Sequence, residues 1–128
     1  MTDEELFQRA KATVRKRVLR DDTTVGQVGC ALLTAGGNVY VGVCIDTPCG
    51  MGFCAEHNAI GTMVTEGESA VATIIAVNQA GNILPPCGRC REFIYQMDPA
   101  NVHTRVLLGG KRVATIEELL PDHWAAAW

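Results

Sequence analysis

Three cysteines and one glutamate stand at a spacing that suits metal-assisted hydrolysis: Cys54-Ala55-Glu56 and, further on, Pro86-Cys87-Gly88-Arg89-Cys90. Catalytic zinc is commonly held by three protein ligands with a fourth position open, whereas structural zinc closes its shell with four. The open position admits a water whose pKa zinc lowers toward neutrality. On this reading Cys54, Cys87 and Cys90 hold Zn²⁺. Glu56, two residues from a ligand, reaches the water without coordinating the metal, and is the candidate general base and acid. Two blander readings compete. A structural zinc site would need a fourth ligand, with His57 or His103 on offer, and has no use for the C-x-E pattern. A redox pair of Cys87 and Cys90 would leave Cys54 and Glu56 unexplained.

The elements that must position these groups can be traced along the chain. Residues 3–20 read as a helix, with Leu6, Ala10, Val14 and Val18 at helical spacing. Thr24 to Thr34 and Val39 to Ile45 read as a hairpin around the turn Ala35-Gly36-Gly37-Asn38. The Pro- and Gly-containing stretch from Asp46 to Phe53 is a loop, and a helix is expected from Cys54 to about Glu66. Ala72 to Val77 is an apolar run typical of a buried strand. Asn78 to Pro86 reads as a loop, and a second helix runs from Cys87 to near Met97. Val102 to Leu108 is another strand, and Arg112 to Ala114 a short one. Ile116 to Leu120 is a helical turn, with Thr115 and Glu118 forming a capping box. Strands alternating with helices argue an α/β sandwich with helices covering a mixed sheet. Both metal segments fall at helix starts, where unpaired N–H groups and the positive dipole end favour thiolate. Three thiolates with Zn²⁺ carry a net negative charge, so nearby cations are needed to keep the centre a useful Lewis acid. Arg89, Arg91 and His57 are the local candidates.

Bulk properties narrow the function classes. At 128 residues the chain is expected to be one domain, residues 1–128. A formal charge of −3 argues against a nucleic-acid surface. The basic residues Arg9, Lys11, Arg15, Lys16, Arg17 and Arg20 read as the solvated face of the first helix, which opens with Asp3, Glu4 and Glu5. No apolar run is long enough for a membrane span, and the acidic start lacks a signal-peptide core. A cytoplasmic protein with six reduced cysteines is therefore expected.

The stretch Cys54-Ala55-Glu56-His57-Asn58-Ala59-Ile60 and the stretch Pro86-Cys87-Gly88-Arg89-Cys90-Arg91-Glu92-Phe93 resemble the two zinc motifs of the small cytidine deaminase family, including its blasticidin S deaminase branch. Val28 to Thr34 resembles the family's first strand, and Glu118-Leu119-Leu120-Pro121 its ending. The resemblance covers nearly the whole chain. It implies a cytidine-deaminase-like α/β/α sandwich with a five-stranded mixed sheet, a homotetramer, and hydrolytic deamination of cytidine, deoxycytidine or a cytosine nucleoside analogue such as blasticidin S. A catalytically silent relative that only binds a nucleoside-like ligand is the alternative, and the intact Glu56 argues against it. Aligned to the family, Cys44 falls where an asparagine holds the ribose, Asp46 where a glutamate does, and Gly26 where a phenylalanine stacks the base. Many family members carry arginine where this chain has His57, so His57 and Arg89 are expected to tune the charge of the centre. Substrate contacts are expected from Cys44, Asp46, Phe53, Ala55 and Trp124, with Trp128 as a second candidate for closing the site. Thiol is a weak donor and acceptor in an amide's place, so cytidine is expected to be a weaker substrate than another aminopyrimidine.

Overall fold

The computed structural model describes residues 1–127, so the expectation for Trp128 lies outside the described residues. The chain forms a mixed sheet of seven strands with helices on both faces. The strands are β1 (Arg17–Arg20), β2 (Thr23–Thr34), β3 (Val39–Asp46), β4 (Val71–Asn78), β5 (Ile83–Leu84), β6 (Arg105–Leu107) and β7 (Val113–Thr115). The helices are α1 (Asp3–Thr13), α2 (Ala55–Thr65), α3 (Gly88–Met97) and α4 (Ile116–Leu119).

Seven strands stand where five were expected, because two positions in the sheet are shared. The long β2 pairs with β3 along one edge; along the other it pairs with β1 near its start and with β4 beyond. In the same way β4 carries β5 and β6 on its second edge, and β7 closes the sheet against β6. The widest row is thus β3-β2-β4-β6-β7, antiparallel except for the β4–β6 pair, which the α3 crossover makes parallel.

Strand periodicity builds two cores, one on each face of the sheet. Cys30 and Leu32 of β2, Ile74 of β4 and Val106 of β6 face α2, α3 and α4, where Ala59, Ile60, Met63, Ile94 and Ile116 meet them. The intervening Ala31, Ile75, Val77 and Leu107 face α1 through Leu6 and Ala10.

The first helix is shorter than its spacing suggests. It ends at Thr13, with the Val14 N–H bonded to the Lys11 carbonyl. Arg17–Arg20 then pairs with Thr23–Val25 instead of continuing the helix. Leu6 and Ala10 are buried, but Val18 is 65% exposed on β1. Strand pairing outcompetes a helix whose last turns contain the β-branched Val14 and Val18 and otherwise exposed, mostly basic residues. The basic residues are therefore divided among α1, its exit and β1, all of them exposed. The expected strand over 102–108 also shortens. Asp98 and Pro99 start a 3-10 turn, Pro99–His103, and the strand begins only at Arg105. The capping box at Thr115 and Glu118 is present as expected.

Two contacts set α2 and α3 against the sheet. A side chain at Gly42 of β3 would lie 2.4 Å from the Ala59 backbone nitrogen, so glycine there lets α2 approach β3 closely. Asn58 Nδ2 donates to the Val43 carbonyl at 3.0 Å and fixes the turn after Glu56. Beyond α3, the buried Asn101 accepts from the Val71 N–H at 2.8 Å and donates to the Ser69 and Ile94 carbonyls at 3.0 and 2.9 Å. It thereby ties the end of α3 to the start of β4. Replacing Asn101 with alanine strands two buried backbone groups and one half-buried carbonyl, and is expected to lower stability by about 3 kcal/mol. Urea denaturation checks this; a loss below about 1 kcal/mol would mean that water takes over the carboxamide's bonds.

Candidate metal centre and active site

Cys54 is the residue that precedes α2, and Cys87 the residue that precedes α3. Both have extended backbone, which turns the chain into the helix and aims the side chain back across its first turn. Cys90 lies one turn into α3, on the face of Cys87. The sequence therefore brings three sulfurs together wherever the two helix starts abut. The Sγ–Sγ distances are 3.6 Å from Cys54 to Cys87 and 3.5 Å from Cys87 to Cys90. All three sulfurs lie within 4.8 Å of one another.

This donor set fits zinc. Tetrahedral zinc with Zn–S bonds of about 2.3 Å places its sulfurs about 3.8 Å apart, close to the spacing here. Among the described residues neither His57 nor His103 joins the cluster, so it offers three ligands, as a catalytic centre does. Burial pushes the Cys54 and Cys90 thiols up, aided by the Cys87 thiol at Cys54 and by the Glu56 charge at Cys90. Cys87 differs. Burial raises its pKa too, but the backbone N–H groups of Cys90 and Arg89 and the two neighbouring thiols outweigh it and bring it below the ordinary thiol value. A divalent cation bound by the three sulfurs would bring all of them into the anionic form.

Glu56 stands in the first turn of α2 and is only 6% exposed. Burial raises its pKa, opposed by its own backbone N–H and by the Cys90 thiol. A carboxyl moved in this direction exchanges protons more readily near neutrality than an exposed one. Glu56, Cys54 and Cys87 line a cavity of about 190 Å³ completed by Val28, Cys44, Ala55, Ala76, Leu84 and Pro85. Its wall is apolar apart from the carboxylate and the sulfurs.

His57 sits behind the sulfurs. Its Nδ1 is 3.3 Å from Cys90 Sγ, and its ring stacks on Phe93 with centroids 4.3 Å apart and planes 8° from parallel. Burial, and then the Arg89 charge, lower its pKa. Arg89 is exposed and shares a second hollow with His57, Glu92, Phe93 and Gln96. Arg91 braces the approach to Cys87, donating to the Pro86 carbonyl at 2.8 Å and the Leu119 carbonyl at 3.3 Å.

Of the residues expected to touch substrate, Cys44 and Ala55 line the cavity, while Asp46, Phe53 and Trp124 are not among its lining residues. Asp46 is exposed at the end of β3, on the same face as Cys44. Phe53 forms a two-bond bridge with Ile45 that fixes the loop into Cys54. Trp124 Nε1 donates to both oxygens of Glu92 at 3.2 Å, beside His123, whose Nε2 is 2.7 Å from the same carboxylate. The tail is thus docked on the outer face of α3. Gly26 cannot carry a stacking side chain, because a Cβ there would fall 1.8 Å from the Arg15 carbonyl oxygen. Sequence reasoning missed the wall residues Val28, Ala76, Leu84 and Pro85. Their apolar character gave no signal beyond that of ordinary core.

Comparisons with known proteins agree with this geometry. Residues 1–105 match the family described as the cytidine and deoxycytidylate deaminase zinc-binding region. The chain is 36% identical to a cytidine deaminase of Halalkalibacterium halodurans over 78% of each chain. It is 34% identical to a blasticidin-S deaminase of Bacillus cereus over 86% of this chain and 84% of that one. A solved cytidine deaminase from Burkholderia pseudomallei superposes with a TM-score of 0.78 at 28% identity, covering 97% of this chain and 100% of the other.

Replacing His57 with alanine removes a polar partner of Cys90 and is expected to weaken zinc binding roughly 10- to 100-fold in chelator competition. An unchanged affinity would show that the His57–Cys90 contact does not reach the metal.

Proposed function

The chain belongs to the cytidine and deoxycytidylate deaminase family and is a hydrolytic deaminase acting on C–N bonds; from that premise we propose that it removes the exocyclic amine of cytidine, deoxycytidine or a related cytosine nucleoside such as blasticidin S. The observation that carries this reading is the buried Glu56 in the same small cavity as the sulfurs. A protein that only bound a ligand, or held zinc for structure, would have no use for a proton-exchanging carboxyl there.

When bound by Cys54, Cys87 and Cys90, zinc supplies the Lewis acidity that activates water for hydrolysis. Glu56 takes a proton from the attacking water, gives it to the ring nitrogen of the amidine, and serves the departing amine in the same way. The amine leaves as ammonia, and a carbonyl replaces it on the ring. Val28, Ala76, Leu84 and Pro85 exclude bulk water and present an apolar surface to the ring. At about 190 Å³ the cavity is smaller than the usual ~300–1,000 Å³ of a ligand pocket. It is sized for the reacting ring, with any sugar or peptidyl substituent at its mouth. His57 and Arg89 moderate the negative charge of the three thiolates, His57 by its contact with Cys90 and Arg89 through its charge and the N–H it turns toward Cys87. Asp46 and Trp124 are proposed as substrate contacts made at the mouth, with Phe53 shaping the loop that leads there.

The same reading takes residues 1–128 as one deaminase domain that works as a homotetramer in the cytoplasm. The resemblance to small cytidine deaminases supports the assembly, and the location is consistent with the lack, among the described residues, of a helix long and apolar enough to cross a membrane.

Ammonia release by zinc-loaded protein from cytidine, deoxycytidine, cytosine, 5-methylcytosine, blasticidin S and aminotriazines tests the reading. Release is expected from at least one cytosine nucleoside, with cytidine weaker than another member. Glu56→Gln is expected to keep its zinc and lose roughly 100- to 10,000-fold in rate. Normal turnover by Glu56→Gln would refute the role of the carboxyl, and silence across the whole panel would refute the reaction.

A further inference from the structure

The two faces of the sheet are covered unequally. Helices α2, α3 and α4 pack on one face, while among the described residues α1 is the helix that packs on the other. Alternation along the strands sends neighbouring residues to opposite sides. Ala76 of β4 and its partner Leu84 of β5 wall the reaction cavity, whereas Ile75 and Ile83, one residue before each, lie on the α1 side. A second hollow of about 480 Å³ opens there, with an apolar lining of Phe7, Ile75, Ile83, Leu107 and Leu108. It shares no lining residue with the reaction cavity. Its volume falls within the ~300–1,000 Å³ of ligand pockets, which are likewise apolar with a few placed polar groups.

The polar groups here are charges at the rim, and they are not all matched. The turn between β6 and β7 brings Lys111 and Arg112 to one side of the hollow and is closed by the Leu108 N–H, which donates to the Arg112 carbonyl at 2.8 Å. Both side chains are exposed, and neither makes an ion pair or hydrogen bond among the described residues. On the other side stand Asp3 and Glu4, in the first turn of α1. The two carboxylate oxygens of Asp3 accept from Arg105 at 2.9 and 2.8 Å, which neutralises that acid. Glu4 accepts from the uncharged Gln8 at 2.9 Å and keeps its charge. Two cations beside an apolar hollow are thus opposed by one carboxylate.

We propose that this hollow is a binding site for an amphipathic organic anion. Its apolar or aromatic body lies against Phe7, Ile75, Ile83 and Leu107, and its carboxylate, sulfonate or phosphate is held by Lys111 and Arg112. The size argues for a small molecule over a docked helix, since one helical turn, about 10 Å across and about 5.4 Å long, would already fill the space. The site lies on the opposite side of the sheet from the metal cluster and does not depend on the deaminase reading.

Anilinonaphthalene sulfonate and the uncharged phenylnaphthylamine share an aromatic body and differ by the sulfonate, and both fluoresce more strongly in apolar surroundings. Titrated into zinc-loaded protein, the sulfonate is expected to bind once per chain and more tightly than the neutral dye. Lys111→Glu combined with Arg112→Glu is expected to weaken the sulfonate roughly tenfold while leaving the neutral dye's affinity unchanged, which also shows that the hollow is still folded. Glu4→Gln is expected to tighten the sulfonate alone. An equal effect of the charge reversal on both dyes, or none on the sulfonate, would overturn the proposal. Displacement of the sulfonate by cytidine would place the dye in the reaction cavity and overturn it as well. So would loss of dye binding as sedimentation shows the chains associating, because a second copy would then cover this face.

Discussion

Three sulfurs with neighbours 3.5 to 3.6 Å apart, and a buried carboxyl beside them, would in their ionised forms concentrate more negative charge than a folded chain holds without compensation. The rest of the architecture can be understood as the means of bringing that charge together and tolerating it. Two helices begin at the same place, so their unpaired N–H groups and dipole ends converge there. The effect is uneven. Cys87 has its pKa lowered by the N–H groups of its own first turn, while Cys54 and Cys90 are pushed up by burial. The clustering of three sulfurs is what calls for a cation, and such a donor set selects a soft or borderline one such as zinc.

Holding two helix starts in contact demands precision from the sheet. Gly42 lets α2 approach β3 until the backbones nearly touch, and Asn58 pins the same turn to the Val43 carbonyl. On the other side, Arg91 ties the Pro86 carbonyl to the carbonyl of Leu119, so the residue before Cys87 is braced by α4. Asn101 joins the far end of α3 to β4. None of these residues faces the cavity, yet each fixes one end of an element that carries a ligand. Polar side chains bonded to backbone carbonyls suit this task, since their loss is costly and their geometry is directional.

The periphery of the site is arranged on different terms. The apolar wall formed by Val28, Ala76, Leu84 and Pro85 suits any aminopyrimidine ring and discriminates little between substituents. Discrimination needs directional polar groups, and these are sparse: a thiol stands at Cys44, glycine at Gly26, and the indole of Trp124 is engaged with Glu92 on the outer face of α3. Such a pocket conserves the reaction while leaving the choice of substrate to groups at its rim.

The chemistry was legible in the sequence because it depends on local spacing. C-x-E puts a carboxyl in the first turn behind a ligand, and P-C-x-x-C puts two sulfurs on one face of a helix start, whatever the rest of the chain does. Apolar runs likewise announced β2 and β4, whose residues divide between two cores. What failed were boundaries decided by distant partners. The first helix stopped at Thr13 because Arg17–Arg20 found a strand to pair with, and the sheet gained β1 and β5 by the sharing of edges. The sequence by itself determined the three-cysteine cluster, the carboxyl beside it and the layered fold, since each follows from residue type and short-range period. Only the tertiary structure decided which helix starts meet, how small the cavity is, that Trp124 rests on Glu92, and that a second hollow opens on the α1 side of the sheet. Those outcomes depend on contacts between segments far apart in the chain, where no local pattern carries the information.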